Sequence, residues 1–287
     1  MIEADHLIFC YNGNEKPVLR GVNLTIRDGE YLSLIGPNGC GKSTLIQQFN
    51  ALLLPSSGTV RVDGLSSGDR QHLQEIRRRV GMVFQNPDNQ IVGMTVEEDV
   101  AFGPGNLGLP PSEIRARVDE SLQLTGIEGL AQREPHTLSG GEKRLVTIAG
   151  VLAMRPRYVA LDEPTSYLDP SGKERVLAVI RRLHGNGIGI IHITHDMEEI
   201  VSSDRVAVMK DGDIHMVGAP EEIITHVELL KRLGLGIPKA TELLWQLKNR
   251  GGNVRTNVLT IEGACDEIAA WLNHTLPGQS SGQNGGE

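Results

Sequence analysis

The sequence predicts an α/β fold, and two patterns carry that prediction. A β-type run at residues 31–35 passes through a glycine-rich turn into apolar residues spaced as on one face of a helix, after which β-type runs resume. Strand, loop, helix and strand in that order are typical of an α/β domain. From residue 87 to about residue 144 the β-type runs give way to helical patterns before they return at Tyr158, which predicts a helical subdomain inserted into one domain.

Each element follows from a local pattern. Short apolar runs bounded by turn residues predict strands, and apolar residues three or four positions apart predict helices. The predicted strands are residues 7–9, 22–26, 31–35, 59–62, 80–84, 158–161, 188–193, 206–209 and 214–217. The predicted helices are residues 45–52, 114–122 and 174–183, and one that begins after Thr95, where Thr95 and Glu98 have the spacing of a capping box.

After residue 235 the sequence predicts a small appendage and a disordered tail. In chain order, the appendage contains a helix at residues 242–248, a strand at residues 254–261 and a helix at residues 266–272. The tail consists almost entirely of Gly, Ser, Gln and Asn and cannot bury enough apolar surface to fold. The predicted domains are a main α/β domain over residues 1–235, an α+β appendage over residues 236–276 and a disordered tail over residues 277–287.

Composition and charge argue against several classes of protein. The chain has 287 residues, 39% of them hydrophobic, and a net charge of −8, so we expect no nucleic acid as a partner. No apolar run approaches the roughly 20 residues that span a bilayer, and residues 1–5 lack the pattern of a secretion signal. The cysteines Cys10, Cys40 and Cys265 are too far apart for a paired zinc or disulfide pattern, as expected in a reducing cytoplasm.

A glycine-rich segment between a predicted strand and a predicted helix has the context of a phosphate-binding loop. Its residues are Gly36, Pro37, Asn38, Gly39, Cys40, Gly41, Lys42, Ser43 and Thr44. Glycines let successive backbone N–H groups surround the β- and γ-phosphates, and the helix N-terminus adds a favourable dipole. Lys42 adds a positive charge and Ser43 a hydroxyl for Mg²⁺. The flanking strand and helix disfavour the alternative, an idle glycine turn.

Two neighbouring carboxylates, Asp162 and Glu163, end the predicted strand at residues 158–161. A parallel strand would deliver them to the same sheet edge as the phosphate-binding loop. We expect Asp162 to hold Mg²⁺, directly or through water, and Glu163 to polarise the water that attacks the γ-phosphorus. The alternative is an acidic strand end that merely faces solvent.

The segment Leu138, Ser139, Gly140, Gly141 and Glu142 has two interpretations. Ser followed three positions later by Glu is an ordinary capping box. Against that simple interpretation, each glycine in a helical turn costs up to about 1 kcal/mol relative to Ala. We therefore expect some group to approach this backbone closely, and a phosphate at the helix N-terminus is the natural candidate.

Together these motifs resemble the ABC ATPase family. The phosphate-binding loop, Gln85, residues 138–142, the carboxylate pair, Asp169 and His195 occur in that family's order over most of residues 1–235. The resemblance implies a P-loop NTPase (RecA-like) core with an antiparallel β subdomain, besides the helical insertion and the appendage. It also implies ATP and Mg²⁺ as cofactors. Two subunits would face each other head to tail, with ATP between one P-loop and the signature segment 138–142 of the other.

The resemblance assigns a role to each further residue. Gln85 is similar to the Q-loop residue that senses Mg²⁺ and the attacking water, and Asp169 to the D-loop acid at the dimer seam. His195 is similar to the switch histidine that contacts the γ-phosphate, whereas His192 would lie on the opposite face of its strand, which argues against a zinc pair. Tyr11 matches the aromatic residue that stacks on adenine; the alternative is a core or edge-strand tyrosine. The implied Mg²⁺ ligands are Ser43, Gln85 and Asp162.

Three positions depart from the family pattern. Glu142 stands where many members have Gln, Leu145 where Arg is frequent, and Cys40 where Ser or Ala is commoner. We expect Glu142 to repel the neighbouring phosphate mildly. At a helix N-terminus we expect Cys40 to favour the thiolate, so that its alkylation would inhibit the enzyme.

Residues 84–90 and 96–104 resemble the energy-coupling-factor group, which imports vitamins or cobalt and nickel. The resemblance implies a homodimer, or a heterodimer with a paralogous ATPase, at the cytoplasmic face of the cell membrane. The pair would dock a separate transmembrane coupling protein that carries a substrate-binding membrane protein, and the appendage would help hold the pair together. The candidate docking residues, for which a helical core is the alternative, are Ile91, Val92, Val96 and Phe102.

Other classes are argued against by particular features. A soluble ABC-type mechanoenzyme acting on DNA or ribosomes usually carries two fused ATPase units or a long coiled coil, and the sequence has neither. A catalytically inactive partner would have lost Glu163, His195 or a signature glycine, and all are present. An ATPase subunit of another ABC transporter class is the nearer alternative.

Overall fold

The protein's structure, a computed structural model, describes residues 1–11 and 16–275, so the predicted tail at residues 277–287 lies outside the described residues. The strands are β1 (Ile2–Phe9), β2 (Leu19–Ile26), β3 (Tyr31–Ile35), β4 (Ser57–Val62), β5 (Leu65–Ser66), β6 (Val80–Val83), β7 (Tyr158–Asp162), β8 (Gly189–Ile193), β9 (Arg205–Lys210) and β10 (Asp213–Gly218). The helices are α1 (Lys42–Phe49), α2 (Leu73–Arg79), α3 (Val96–Asn106), α4 (Pro111–Thr125), α5 (Gly140–Leu152), α6 (Pro170–Gly185), α7 (Pro220–Ile223), α8 (Val227–Arg232), α9 (Lys239–Asn249) and α10 (Ile261–Thr275). Within the described ranges, none of these helices combines the length and the apolar character needed to cross a bilayer.

The main sheet has the strand order β10, β9, β3, β8, β7, β6. Its strands pair in parallel from β9 to β6, and β10 joins β9 antiparallel at one edge. Every residue of β3, β7 and β8 is buried, as expected for parallel strands covered on both faces. Because the carboxyl ends of parallel strands meet at one edge, the loops after β3, β6, β7 and β8 lie together. The predicted α/β core is confirmed.

A second sheet, with the strand order β2, β1, β4, β5, is antiparallel throughout. Along β2, Leu19, Val22, Leu24 and Ile26 are buried and the residues between them are more exposed, so one face of the strand meets a core. Those side chains share an apolar core with α1 and with parts of the main sheet. The sheet matches the antiparallel β subdomain that the family resemblance implies.

The inserted helices α3, α4 and α5 pack against one another through an apolar core that includes Val100, Val118, Leu122 and Leu145. The predicted capping box begins α3: Thr95 Oγ1 accepts from the N–H of Glu98 at 3.3 Å, and Glu98 Oε2 accepts from the N–H of Thr95 at 3.2 Å. Helix α5 runs on past residue 144, and the chain re-enters the main sheet at β7.

The strand predicted over residues 254–261 in the appendage is wrong. In the described part of the chain, residues 252–259 form no ladder, and α10 begins at Ile261. Side chains replace the ladder bonds: Thr241 Oγ1 donates to the carbonyl of Val258 at 2.6 Å, and Glu267 accepts from the N–H of Arg255 at 2.8 Å. Apolar residues such as Val258 gave the segment its β-type pattern because they pack between helices α9 and α10.

Candidate nucleotide-binding and catalytic site

The predicted phosphate-binding loop connects β3 to α1. Gly41 caps the start of α1 in a left-handed conformation, with a φ of 106°. Gly36 has a φ of 156°, and a Cβ there would lie 2.3 Å from the carbonyl oxygen of Met209 in β9. Glycine is therefore required where the loop passes β9 and where it turns into the helix. The helix N-terminus faces the loop, which is the arrangement that binds phosphate.

Lys42 is held inside this loop. Its Nζ donates to the carbonyl oxygens of Gly36 at 2.8 Å and Pro37 at 3.0 Å. Burial lowers the pKa of Lys42, and the nearby charges of Asp162 and Glu163 oppose that shift. The ammonium group thus lies within the loop and close to both predicted carboxylates.

An open cleft of about 680 Å³ lies beside the loop. That volume falls in the range of roughly 300–1,000 Å³ that is typical of small-molecule sites. The residues lining it include Asn38, Gly39, Gly41, Lys42, Ser43, Thr44, Gln85, Glu163, Tyr167 and His195. The structure therefore brings the P-loop and the three predicted catalytic residues to one cleft.

Glu163 is the point at which the predicted catalytic residues meet. Its carboxylate accepts hydrogen bonds from Gln85 Nε2 at 2.8 Å and Ser166 Oγ at 2.9 Å, and it pairs with His195 Nε2. Its backbone has a φ of 47°, which is uncommon for a residue other than glycine, and its N–H donates to the carbonyl of Ile193 at 3.1 Å. Contacts from three loops thus orient a carboxylate that can polarise a water molecule.

Asp162 ends β7 beside the loop and is largely buried. Burial raises the pKa of Asp162, a hydrogen bond with Ser43 lowers it, and the charge of Glu163 raises it again. Carboxylate and hydroxyl oxygens are the hard ligands that Mg²⁺ prefers, and a cation here would offset the repulsion between the adjacent carboxylates. The side-chain oxygen of Gln85 is the remaining predicted donor. The residues present therefore fit Mg²⁺.

The loop that carries His195 is held by a buried acid that the sequence did not single out. Glu199 accepts hydrogen bonds from Thr194 Oγ1 at 2.5 Å and Thr165 Oγ1 at 2.7 Å. Burial alone would raise its pKa, but contacts with the fully buried His192 and with both threonines lower the pKa of Glu199 to about 2. Glu199 thereby joins the loop after β7 to the loop after β8.

The signature segment begins α5, and the structure contains the capping box of the first interpretation. Ser139 Oγ accepts from the N–H of Glu142 at 3.3 Å, and Glu142 Oε2 accepts from the N–H of Ser139 at 2.8 Å. Packing within the chain explains Gly141, because a Cβ there would lie 3.2 Å from the Cα of Gly172 in α6. Gly140 is exposed, so the start of the helix is open to the approach of another molecule.

Gly140 borders a second cavity, of about 580 Å³, which Gln85 and Tyr167 also line. Because both residues line the P-loop cleft as well, they lie between the two spaces. Asp169 follows on the same loop and caps α6, with Oδ1 accepting from the N–H of Gly172 at 3.1 Å. The predicted D-loop therefore lies next to the signature segment of its own chain.

Tyr11 lies beside the P-loop, with its hydroxyl 3.1 Å from Thr44 Oγ1. Its ring is 41% exposed and packs edge-to-face on Phe9 at a centroid distance of 4.9 Å. The position next to the loop suits the predicted stack on adenine, because part of the ring remains accessible.

Comparison with known proteins agrees with the family that the sequence motifs predict. The family model described as ABC transporter matches residues 19–166. The cobalt import ATP-binding protein CbiO of Syntrophus aciditrophicus is 59% identical over 96% of this chain and 99% of that protein. The chain belongs to the ABC transporter family. As an ATP-binding subunit of that family, it is an ATPase coupled to transport.

Other relatives and solved structures agree with this membership. The energy-coupling factor transporter ATP-binding protein EcfA1 of Clostridium novyi is 50% identical over 91% of this chain and 95% of that protein. The structure of cbiO1 from Clostridium perfringens, part of the ABC transporter complex cbiONQ, has a TM-score of 0.73 and 40% identity over 80% of this chain and 93% of that chain. An ATP-binding cassette solved as a dimer with ADP and Pi has a TM-score of 0.69 and 31% identity over 77% of this chain and 99% of that chain. The predicted P-loop NTPase fold, as found in ABC ATPase cassettes, is thus confirmed.

The structure accounts for the departure from the ABC pattern at Leu145. Leu145 is 2% exposed and packs in the helical core, where a guanidinium would be buried in apolar surroundings. The preceding residue, Arg144, donates through Nη1 to the carbonyl of Phe84 and through Nη2 to that of Gln85. Sequence reasoning missed Arg144, although an arginine one position before the expected one was a usable signal.

The expectation that Cys40 favours the thiolate is wrong. Its side chain is 6% exposed and belongs to the apolar core. Burial raises the pKa of the Cys40 thiol, and the charge of Lys42 opposes this without reversing it. Desolvation therefore outweighs the effect of the neighbouring helix N-terminus.

Proposed function

We propose that this chain is the ATP-hydrolysing subunit of an energy-coupling-factor importer whose substrate is a vitamin, cobalt or nickel. The names of its relatives support this assignment, since one is a cobalt import ATP-binding protein and another an energy-coupling factor ATP-binding protein. The observation that carries the catalytic part is the convergence of Gln85 and His195 on Glu163 at the edge of the P-loop cleft.

The chain's own residues then divide the hydrolysis between them. The backbone N–H groups of the P-loop and Lys42 bind the β- and γ-phosphates. Glu163 polarises and takes a proton from a water whose oxygen bonds to the γ-phosphorus as the bond to the leaving ADP oxygen breaks. His195 contacts the γ-phosphate and keeps Glu163 oriented. Ser43, Asp162 and Gln85 would hold Mg²⁺, and the ion would supply positive charge to offset that of the phosphate oxygens.

In the proposed assembly the signature segment acts on the ATP of a second subunit. The start of α5 supports this, because the positive end of the helix dipole lies at the exposed Gly140. The partner is a second copy of this chain or a paralogous ATPase, and Asp169 and Tyr167 lie at the seam. The related cassette solved as a dimer supports the pairing. The appendage contributes the exposed Leu243 and Ile261 to the same pairing.

A groove lined in part by Phe84 and Gln90, on either side of Gln85 in the chain, supports docking of a transmembrane coupling protein at the cytoplasmic face of the membrane. Val92 and Phe102 line it and are 62% and 56% exposed. Leu52 and Met82 extend its apolar lining. Two of the four docking residues expected from the sequence do not line this groove. Val96 is fully buried in the helical core, and Ile91 packs against that core. The coupling protein would carry the substrate-binding membrane protein.

The test of the catalytic assignment is Glu163→Gln. We expect this variant to lose ATP turnover, to retain ATP binding and to accumulate as a closed dimer with Mg-ATP in size-exclusion chromatography. The matched control is Glu228→Gln, which removes the same charge from an exposed position on α8 and should behave as the unaltered protein. Normal turnover in Glu163→Gln would contradict the assignment.

The test of the importer assignment is purification of the native complex from membranes. A transmembrane coupling protein and a small substrate-binding membrane protein should co-purify and be identified by mass spectrometry. Recovery of ribosomes or DNA, or of the membrane subunits of another transporter class, would contradict it. Strictly monomeric protein with Mg-ATP, alone and with its paralogue, would contradict the pairing.

A further inference from the structure

Arg144 is a buried guanidinium on α5, the helix that begins with the signature segment. Its side chain is 1% exposed. Nη1 and Nη2 donate to the carbonyl oxygens of Phe84 and Gln85, the residues that follow β6. The planar guanidinium therefore binds two successive peptide units of the Q-loop. None of the residue roles assigned above accounts for this contact.

Burying a charged guanidinium costs free energy unless other groups compensate for the water that it loses. Burial lowers the pKa of Arg144 to about 10, so the group remains charged at neutral pH. The described residues place no carboxylate in contact with it, and Asp162 acts only through space. Two charge-assisted hydrogen bonds to carbonyl oxygens compensate for part of the lost hydration, while Nε has no hydrogen-bond partner among the described residues. Removing those acceptors, or moving them, would leave the charge uncompensated.

The other hydrogen bonds described around Phe84 and Gln85 are mostly local to the chain. Gln90 Oε1 accepts from the N–H of Phe84 at 3.1 Å, and Gln90 Nε2 donates to the carbonyl of Met82 at 3.0 Å. Both bonds fold the loop onto its own strand. Arg144, in contrast, joins the loop to the helical insertion, so a displacement of α5 carries the carbonyl oxygens of Phe84 and Gln85 with it.

Gln85 in turn touches the catalytic carboxylate, since its Nε2 donates to Glu163 Oε2 at 2.8 Å. A continuous series of contacts thus runs from Gly140 along α5 to Arg144, then to Gln85 and Glu163. We infer that Arg144 is a positioning residue that transmits the position of the signature helix to Gln85, and through Gln85 to Glu163. This inference rests on the proposed function, because it assigns catalysis to Glu163.

The experiment compares Arg144→Lys with the unaltered protein in the purified ATPase pair. Lysine keeps the charge but cannot donate to two carbonyls in one plane. We expect kcat for ATP hydrolysis to fall by about tenfold to a hundredfold, as for a small misplacement of a catalytic group, while KM for ATP changes less than about twofold. Equal losses in kcat and in ATP affinity would overturn the inference, because a positioning residue for the water-polarising group leaves the P-loop intact.

Lys143→Met is the matched control. Lys143 also links α5 to the segment after the Q-loop, with Nζ 2.7 Å from Asp88 Oδ1, but this pair is open to solvent on its Asp88 side, where the side chain is 63% exposed against 20% for Lys143. Exposed pairs contribute little, so kcat should stay within about twofold of the unaltered protein. A loss in Lys143→Met as large as that in Arg144→Lys would overturn the inference, since any link between the two segments would then suffice.

A double-mutant cycle with Gln85→Ala separates positioning from general damage. If Arg144 acts through Gln85, Arg144→Lys should add less than about twofold to the loss already present in Gln85→Ala. Losses that multiply would overturn the inference. Should Arg144→Lys fail to fold, Arg144→Gln, which is neutral and keeps one donor group, takes its place in the same cycle. Failure of the proposed function itself is recognised separately, by turnover in Glu163→Gln.

Discussion

The side-chain amide of Gln85 donates a hydrogen bond of 2.8 Å to the carboxylate of Glu163, and so joins the loop after β6 to the end of β7. The two residues come from neighbouring parallel strands whose paired residues include Val83 and Leu161. Because the bond crosses between strands at the cleft, the orientation of Glu163 depends on where the Q-loop lies.

Gln85→Ala should therefore slow hydrolysis without abolishing nucleotide binding. We expect kcat to fall by about tenfold to a hundredfold, because Glu163 loses one of its orienting donors. ATP affinity, measured by calorimetry without Mg²⁺, should change less than about twofold, since the P-loop is untouched. Gln246→Ala, an exposed change on α9, is the control, and a Gln85→Ala enzyme as fast as that control would contradict this account.

Glu199 should make stability depend on pH. Its pKa is lowered from 4.5 to about 2 in the folded chain, so its contribution is complete above the unfolded value and is lost as pH falls through the range from about 4.5 to about 2. A shift of this size corresponds to about 3 kcal/mol. Glu199→Gln should lose a comparable amount of unfolding free energy at neutral pH.

Urea unfolding at neutral pH and at successively lower pH measures this effect. The difference between the unaltered protein and Glu199→Gln should shrink as the pH falls from about 4.5 to about 2, because the carboxyl is then protonated in the unfolded chain before it is protonated in the folded one. Glu228→Gln provides the comparison at an exposed site. A difference that stays constant with pH would show that packing, and not charge, accounts for the loss.

Glu142→Gln should strengthen ATP-driven pairing. Hydrogen bonds from the backbone and side chain of Ser139 lower the pKa of Glu142, so its carboxylate is charged beside the start of α5. Glutamine keeps a capping acceptor and removes the repulsion of a partner's phosphate. Sedimentation with Mg-ATP in the Glu163→Gln background should show a lower dissociation constant, whereas Glu128→Gln should leave it unchanged. A weaker or unchanged dimer in Glu142→Gln would refute the repulsion.

Cys40 should react slowly with maleimides at neutral pH. Burial raises the pKa of its thiol and restricts access, whereas Cys265 is exposed on α10. Peptide mass spectrometry over a time course should show Cys265 labelled well before Cys40. Faster labelling of Cys40 would mean that the P-loop opens in solution.

Local patterns were enough to locate most of the fold and of the cleft. The main strands are short, buried along their length and bounded by turns, so residues such as Leu34 and Leu161 revealed them. Because a parallel sheet fixes which strand ends meet, the encounter of the P-loop with Asp162 and Glu163 followed from sequence order. Helix α2 was missed because Leu73 and Ile76 are its only apolar residues, too few to establish a helical period.

Contacts between distant segments could not be predicted in this way. Glu199 and Arg144 are charged residues in polar stretches, and sequence pattern assigns such residues to the surface. Their burial depends on acceptors and donors that the fold brings from elsewhere, such as Thr165 and the carbonyl of Phe84. The raised pKa of the Cys40 thiol has the same origin, because its desolvation arises only in the assembled core.

Helices α5 and α6 meet backbone to backbone where Gly141 faces Gly172. Ser139 caps one helix and Asp169 caps the other, so both loops leave from the same fixed junction. In the proposed pair, a subunit would therefore present these loops as one preassembled edge. Little conformational freedom would remain to be lost when the edge meets its counterpart, so less ordering entropy would oppose the pairing.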